Sequence, residues 1–344
     1  MTDTPASTDT TDQGHPDFVR HPDPGPHDSG PQRARRPAFG GWAALLVVYV
    51  VWGSTYLAIR VGVETIPPLL LAGVRYLIAG LILFPLAVRS GSAAKRAADR
   101  PRAANWPRAA NWLACAVVGI LLLLGGNGGV SVGERSVPSG FASLLVATVP
   151  LWLLVLDAAL NRARIGVLPL SGLIAGLAGV GLLAGLGNGG SPGTGSAGGV
   201  AIILVASLSW ALGTILSGRL ALPARPLLST AMQMLTGGVA LLVLAAATGE
   251  FGSFHLTAVS RSSWLALGYL IGPGSILALS AYSVAVRSLP TPTVATYAYV
   301  NPVVAVILGA TLLGEALTHT MLLGGGLIIV AVALVVRRQG GAGH

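Results

Sequence analysis

The sequence has a single cysteine, a single lysine and a charged fraction of only 10%. The lone thiol, Cys115, excludes an intramolecular disulfide and a multi-cysteine metal site. Lys95 follows Ala94, so the chain has no GxxxxGK[ST] loop to hold the phosphates of ATP. It also has no HExxH zinc-peptidase motif. We therefore expect no ATP hydrolysis, no enzymatic activity, no bound metal and no cofactor.

The shortage of charge accompanies long apolar runs. Hydrophobic residues form 53% of the chain and its mean hydropathy is +0.74, whereas soluble domains carry about 25% charged residues. A membrane helix needs about 20 mostly apolar residues, and a membrane β-strand shows a shorter alternating pattern. The continuous runs predict an all-α membrane protein with ten transmembrane helices in contact with the lipid bilayer. These helices are expected at 42–59, 69–88, 112–131, 139–158, 167–186, 199–217, 227–247, 264–284, 292–312 and 321–336.

The formal net charge of +9 is unevenly distributed along the chain. If the N-terminus is cytoplasmic, 17 of the 21 arginine and lysine residues fall in cytoplasmic segments and one, Arg75, lies within a span. The other three, Arg60, Arg135 and Arg261, fall outside. Cationic residues are enriched in the cytoplasmic loops of membrane proteins, so both termini are predicted to be cytoplasmic in the plasma (inner) membrane. The same distribution argues against a nucleic-acid partner.

The second half of the chain repeats the first. Shifts of 158 and then 152 residues align residues of the same type. The pairs include Trp52 and Trp210, Pro68 and Pro226, Leu77 and Leu235, Gly80 and Gly238, Trp112 and Trp264, and Pro150 and Pro302. Each repeat holds five predicted spans, and because five is odd, the second repeat enters the membrane from the opposite side. The sequence therefore predicts a 5+5 inverted-topology repeat, an architecture that many secondary transporters use.

The repeats divide the chain into five predicted regions. They are a disordered cytoplasmic tail at 1–40, a first repeat at 41–186, a Gly/Ser-rich external linker at 187–198, a second repeat at 199–337 and a cytoplasmic tail at 338–344. The N-terminal tail is poor in apolar residues, which is typical of disorder, and no cleaved signal peptide is expected. His15, His21 and His27 could bind a metal weakly, but we expect a solvated tail without metal.

Arg75 lies in the second predicted span, about two helical turns from its external end. A charged side chain there costs at least about 2.5–3.5 kcal/mol, so it is expected to face the bundle interior or a water-filled cavity. Its mate in the second repeat is the neutral Gln233, which favours a role outside the symmetric scaffold. Two interpretations remain open: Arg75 binds a substrate carboxylate, or it forms a structural ion pair with Glu134.

Three acids, Glu134, Asp157 and Glu315, lie near predicted membrane boundaries. Glu134 is the best placed of them to act as a proton site, since proton-coupled carriers commonly use an intramembrane carboxylate. A solvated acid at a helix end is the competing interpretation. Glu315, between the ninth and tenth spans, is expected to be an ordinary interfacial acid.

Prolines and aromatic residues interrupt several spans. Pro150 and Pro302 are mates in the fourth and ninth spans, where each removes a backbone hydrogen bond and is expected to kink its helix. Membrane aromatics lie in interfacial belts or line cavities, and we favour the cavity because Trp52 and Trp210 are near mid-span. The residues expected to form the substrate cavity are Trp52, Tyr56, Arg75, Asn127, Trp210, Gln233, Tyr282, Tyr299 and Asn301.

Four segments carry a family likeness: WGSTYLAIR at 52–60, AGVRYLIAG at 72–80, GNGGVSVGERSVPSGFASLLVATVPL at 126–151 and YAYVNPVVAVILGATLLGE at 297–315. They resemble the EamA family of the drug/metabolite transporter superfamily, and in particular its YedA-like inner-membrane exporters. The resemblance implies ten helices in a 5+5 inverted repeat around a central cavity, and export of small metabolites or drugs. Ala163 stands where the second repeat has Glu315, so the first repeat lacks that acid.

We therefore interpret the chain as a secondary transporter that exports small organic solutes across the plasma membrane by alternating access. Metabolites, amino-acid-like compounds and drugs are the expected solutes. An uptake permease is the alternative within transport, because gradients rather than fold set the direction. A non-transport membrane scaffold or sensor is the contrasting class, and it predicts no solute flux. The Gly172-xxx-Gly176 spacing also suggests close helix packing in a homodimer.

Overall fold

A computed structural model of the chain describes residues 39–95, 107–161, 166–183, 196–289, 291–294 and 296–341. All regular secondary structure in these ranges is helical. The N-terminal tail with His15, His21 and His27, and most of the predicted linker at 187–198, lie outside them.

The helices follow the apolar runs of the sequence. The first repeat holds α1 Phe39–Gly62, α2 Pro68–Lys95, α3 Ala109–Gly119, a π-helix Ile120–Gly128, α4 Gly129–Gly133, α5 Ser139–Val146, α6 Val149–Asn161 and α7 Val167–Leu183. The second holds α8 Ala197–Ser217, α9 Pro226–Ala247, α10 Glu250–Ser253, a 3-10 turn Leu256–Ala258, α11 Arg261–Ile271, a π-helix Gly272–Leu277, α12 Ala278–Ser288, α13 Thr291–Val294, α14 Tyr297–Leu312 and α15 His319–Gly341.

Seven helical stretches within the described ranges are long and apolar enough to cross a membrane. They are Gly40–Gly62, Pro68–Arg89, Ala109–Gly133, Ser139–Leu160, Ala197–Ser217, Pro226–Ala247 and Arg261–Val286. Three shorter apolar helices accompany them, at Leu170–Leu182, Tyr297–Leu312 and His319–Leu334. Large apolar side chains such as Leu113, Leu265 and Val330 are exposed on the outer surface, as lipid contact requires. The prediction of an all-α membrane protein is confirmed, while the ten-span inverted arrangement stays a prediction.

The helices α2 and α9 pack against each other in a reciprocal way. A Cβ atom added to Gly80 on α2 would lie 3.0 Å from the backbone nitrogen of Leu235 on α9. A Cβ atom added to Gly238 on α9 would lie 2.8 Å from the backbone nitrogen of Leu77 on α2. Gly80 and Gly238 are repeat mates, and so are Leu77 and Leu235, so the two contacts are equivalent. Equivalent contacts of this kind are expected across a two-fold axis. Glycine is needed because the backbones approach too closely for a side chain.

Other helices of the two repeats also pack together. α1 packs against α12 and α14, α5 against α14, and α7 against α15. One apolar core contains Phe141 and Leu145 of α5, Ile203 of α8 and Ile328 of α15. The two repeats therefore share their interior, so a side chain of one repeat can be positioned by the other.

The two π-helices occupy matching positions in the repeats. They begin at Ile120 and Gly272, which the 152-residue shift relates in the same way as Trp112 and Trp264. Each continues the preceding α-helix directly into the next one, so α3–α4 and α11–α12 form two long rods. A π-helix leaves a local mismatch in the backbone hydrogen bonds and is frequently found at functional sites.

The mates Pro150 and Pro302 interrupt their helices differently. A turn at Ala147 and Thr148 separates α5 from α6, and Pro150 is the second residue of α6. Pro302 lies inside α14, which continues through it. Proline has no amide hydrogen, so one carbonyl group in α14 lacks its usual donor. The break near Pro150 is therefore visible, whereas a kink at Pro302 stays a prediction.

Candidate functional site

Arg75 lies on α2 inside the bundle, with 6% of its surface exposed. Its Nε donates a hydrogen bond to Ser275 Oγ at 3.0 Å, and its guanidinium carbon lies 4.6 Å from the centre of the Tyr76 ring. Ser275 Oγ in turn donates to the carbonyl oxygen of Leu270 at 2.8 Å. A residue in the π-helix of the second repeat thus orients Arg75. Among the described residues, the two terminal guanidinium nitrogens make no hydrogen bond and can bind an anion.

Glu134 lies between the third and fourth spans and is fully buried, so it is not a solvated acid at a helix end. Neither carboxyl oxygen has a hydrogen-bond partner in the described ranges. Burial raises the pKa of the Glu134 carboxyl well above its usual range and the charge of Glu315 raises it further, while Arg60 and then Arg75 lower it. Arg75 lies close enough to attract the carboxylate, but the predicted direct ion pair is not formed, since neither oxygen of Glu134 has a hydrogen-bond partner in the described ranges.

Arg60, at the end of α1, holds the turn that contains Glu134. Its Nη1 donates to the carbonyl oxygen of Glu134 and, at 3.1 Å, to that of Arg135. Carbonyl groups at a helix C-terminus lack internal donors and carry partial negative charge, so a cation there is favourable. Arg60 therefore positions the backbone of Glu134 and leaves its carboxyl group free. Sequence reasoning had counted Arg60 only as one of the outer cations.

Glu250, the first residue of α10, caps the start of α2. Its Oε1 and Oε2 accept hydrogen bonds from the amides of Leu69 and Leu70, at 3.3 and 2.8 Å. Because α10 follows α9, the end of α9 meets the beginning of α2, and these two helices are antiparallel. A surface cleft of about 440 Å³ adjoins the cap, lined by Pro68, Leu69, Val132, Arg135, Thr248, Gly249, Glu250 and Ser253.

Glu315, in the turn after α14, caps the start of α5. Its Oε1 accepts from the amide and the hydroxyl of Ser139, at 2.7 and 2.8 Å, and its Oε2 accepts from the amide of Gly140 at 3.0 Å. A carboxylate is favourable at a helix N-terminus, where amide groups lack internal acceptors. The prediction that Glu315 is an ordinary interfacial acid is therefore wrong. The sequence signal was present, since both capping acids follow a glycine at the end of an apolar run.

Three aromatic rings join α1 to α12 and α14. The ring centres of Trp52 and Tyr282 are 5.3 Å apart, those of Trp52 and Tyr297 are 5.2 Å apart, and those of Tyr282 and Tyr297 are 5.9 Å apart. One turn after Tyr297, Asn301 is buried with its Oδ1 unpaired in the described structure. Aromatic faces beside an unpaired acceptor suit an organic solute with an apolar body and a hydrogen-bond donor. Sequence reasoning had left Tyr297 out of the cavity.

Tyr56 links this aromatic group to the buried acid. It interacts electrostatically with Glu134, Tyr297 and Tyr76. Tyr56 and Tyr299 both pack against the apolar core that contains Phe141. The structure therefore places both tyrosines at the edge of this core.

The other predicted cavity residues lie around the first π-helix. Asn127 donates to the carbonyl oxygen of Leu122 at 3.4 Å, within that helix. Trp210 of α8 covers Gly126, where an added Cβ would lie 2.8 Å from the indole ring. The side-chain amide of Gln233 donates to the hydroxyl of Ser229 at 3.0 Å, and the backbone carbonyl oxygen of Gln233 lies beside Gly119, the residue before this π-helix. The mates Arg75 and Gln233 are thus each placed beside the π-helix of the opposite repeat.

Comparison with known proteins gives one family for both repeats. Residues 39–185 and 197–337 match the EamA-like transporter family. A solved crystal structure with 21% identity is similar in fold, with a TM-score of 0.55 over 85% of this chain and 95% of that one.

Several relatives are transporters by name. The uncharacterized inner membrane transporter YedA of Escherichia coli K12 is 42% identical over 301 residues, covering 87% of this chain and 90% of that protein. The uncharacterized transporter YvbV of Bacillus subtilis is 29% identical, covering 85% and 90%. A probable amino-acid metabolite efflux pump of Salmonella typhimurium is 28% identical, covering 86% and 94%.

Proposed function

The chain belongs to the EamA-like transporter family, and from this starting point we propose that it is a secondary carrier that exports small organic solutes by alternating access. It is a multi-pass membrane protein whose relatives are named as transporters. The relative named as a probable amino-acid metabolite efflux pump supports export, and it supports amino-acid-like compounds as one solute class. Catalysis forms no part of this proposal.

The reciprocal, antiparallel contact of α2 with α9 is the observation that carries the proposal. Gly80 meets Leu235 where Gly238 meets Leu77, and Glu250 ties the end of α9 to the start of α2. A two-fold axis perpendicular to the helices would produce this arrangement, which therefore supports the proposal of ten spans in a 5+5 inverted repeat. Such repeats can exchange conformations, which yields inward-open and outward-open states of similar energy. With the arginine distribution, the proposal places both termini in the cytoplasm.

The solute site of the proposal lies between Arg75 and the aromatic cluster. The free guanidinium nitrogens of Arg75 would bind a carboxylate, while Trp52, Tyr282 and Tyr297 would contact the apolar part of the solute. Glu134 would be the proton site. A cationic group of the solute near Glu134 would compete with its proton, and such competition is what a proton antiporter requires.

The first test identifies a ligand. A solute that binds the folded state raises the unfolding temperature, so purified protein would be screened by thermal shift against amino acids, sugars and cationic drugs. The compound with the largest shift would then be loaded into proteoliposomes to measure its efflux. An uptake permease would instead transport the solute inward when the solute gradient or the driving ion gradient is reversed. A scaffold or sensor would show no solute flux in either direction.

The second test addresses Arg75. Arg75→Gln copies the residue of the second repeat and is expected to abolish flux and the ligand-induced thermal shift while the protein remains folded. The matched control is Arg261→Gln, an exposed arginine at the start of α11. Wild-type flux in the Arg75 variant would exclude this residue from the solute site.

A further inference from the structure

Two helix ends of the second repeat share one local design. Gly249 after α9 and Gly314 after α14 have φ values of 77° and 65°, a left-handed conformation that glycine adopts without steric cost. Glu250 and Glu315 follow these glycines directly. In the described ranges, both positive-φ glycines thus precede the two acids that cap helices of the first repeat. We refer to these two elements as the Gly–Glu turns.

In the second Gly–Glu turn, the carboxylate of Glu315 occupies space that is left by the missing side chain of Gly309. A Cβ atom at Gly309 would clash with Glu315 Oε2 and would lie 3.0 Å from Ser139 Oγ. The amide of Glu315 donates to the carbonyl oxygen of Gly309 at 3.0 Å, which fixes the direction of the turn. With three hydrogen bonds to α5, this carboxylate is held as a fitted part of the interface and not as a loose surface group.

Both caps lie at the same end of the bundle. The cleft beside Glu250 includes Val132 and Arg135, and Glu315 binds Ser139, which lies four residues after Arg135 and begins α5. At the other end of the α2–α9 pair, the start of α9 receives no side-chain cap from its own N-cap residue, Arg225. The sequence mate of Glu315 is an alanine, which cannot accept hydrogen bonds through its side chain. The carboxylate contacts therefore hold the repeats together at one end.

We propose that Glu250 and Glu315 are gate residues of the transporter, which hold this end of the bundle closed and release it when their caps break. The inference rests on the proposed alternating access, because only a carrier must separate the repeats at one end at a time. Each cap is a charge-assisted contact between the two repeats, from α10 to α2 and from the turn after α14 to α5, so moving the repeats apart breaks it. Losing the caps should shift the population toward the state that is open at this end.

The test measures the accessibility of buried cysteines in a Cys115→Ala background. Ser143→Cys reports on α5, one turn beyond the capped residue Ser139, and Ser229→Cys reports on α9 near the opposite end. Both serines are buried. The reagent is a polar maleimide applied to detergent-solubilised protein, and the test variant is Glu250→Gln combined with Glu315→Gln. We expect the Ser143→Cys reporter to react at least about tenfold faster in the test variant, with the Ser229→Cys reporter unchanged or slower.

The control is Glu64→Gln, an exposed acid in the loop between α1 and α2 with no hydrogen bond in the described structure; it should leave both rates unchanged. Hydrogen exchange at Ser139 and Gly140 separates a gate from a plain helix cap. Faster exchange there with an unchanged Ser143→Cys rate would overturn the proposal, and so would an equal increase at both reporters, which means general loosening. The labelling experiment needs no solute, so it tests the gate separately from transport. If the labelling result contradicts the gate while the parent protein still transports solute, only the gate proposal fails. If the parent protein shows no solute flux, the proposed transport function fails.

Discussion

Glu134 is a carboxyl group in an apolar interior, with no hydrogen bond among the residues described. Ionising it there costs free energy, which the attraction of Arg60 and Arg75 offsets only in part, since the net effect raises its pKa well above the usual range. In the folded protein it therefore keeps its proton at a pH where a free glutamate has lost it. Once ionised, Glu134 would repel Glu315 and weaken the cap on α5. Proton loss and opening of the gate would then favour each other.

The raised pKa makes stability depend on pH. Between the ordinary pKa of 4.5 and the raised value, the folded state binds more protons than the unfolded state, so stability falls as pH rises. Each unit of pKa shift corresponds to about 1.4 kcal/mol. Glu134→Gln is expected to remove this loss and to unfold at a higher temperature than the parent at alkaline pH. The pH dependence of the unfolding temperature is measured for both proteins from acid to alkaline pH in one detergent, with Glu64→Gln as the control. An equal pH dependence in parent and Glu134→Gln would contradict the assignment.

The residues also show what sequence reasoning can reach. Burial of Arg75 followed from the cost of a charge in lipid, which needs only its place in an apolar run. Its partner did not follow, because Ser275 lies 200 residues away along the chain. Glu315 was misassigned for the same reason, since the amide groups it caps are 176 and 175 residues distant. Such contacts depend on the packing of the repeats and not on local pattern.

At the scale of elements, the helices were largely predictable and their irregularities were not. The hydropathy of each apolar run depends only on the local sequence and not on which helices pack beside it. The observed helices therefore lie close to the predicted spans. The π-helix Ile120–Gly128 contains no proline, but its run Gly125-Gly126-Asn127-Gly128 indicates a weakened helix, without indicating its type. The second, Gly272–Leu277, has Pro273 near its start, which marks an interruption but not its type. The sequence therefore indicates where these two helices are interrupted, but not that π-helical hydrogen bonds form there.

The reciprocal glycines of α2 and α9 offer a test at this scale. Gly238→Ala places a Cβ 2.8 Å from the Leu77 nitrogen, so the helices must separate, and we expect a loss of about 1–3 kcal/mol of unfolding free energy. Gly326→Ala in α15 is the matched control, because no atom lies within 4 Å of its added Cβ. That variant should be neutral or more stable, since alanine favours a helix by about 1 kcal/mol. The unfolding temperatures of both variants are compared with that of the parent protein. An equal change in the two variants would contradict the close contact of α2 with α9.

At the scale of the whole molecule, the orientation in the membrane is predicted from charge alone. The predicted external side carries Arg60, Arg135 and Arg261, against 17 cations on the cytoplasmic side. The capping acids and Glu134 lie at the same end as Arg60. In the predicted orientation the proposed gate faces outward, so an exported solute would enter from the cytoplasm and leave when the gate opens.

Orientation is tested by labelling intact cells that produce Cys115→Ala protein with one new cysteine. Ser191→Cys lies in the predicted external linker, and Ala98→Cys lies in the Arg-rich segment between α2 and α3. We expect an impermeant thiol reagent to label Ser191→Cys from outside and to reach Ala98→Cys only after the cells are permeabilised. The reverse pattern would invert the orientation and assign the gate to the cytoplasmic side.

The Gly–Glu turns also bear on how the chain is made. The ribosome delivers the first repeat before Glu250 and Glu315 exist, so the amides at the starts of α2 and α5 enter the membrane without their acceptors. Until these acceptors arrive, the amides are either hydrated or unpaired, and an unpaired amide is costly where water is scarce. We therefore expect a chain truncated between the repeats to lack both caps and to be digested by proteases faster than the full chain.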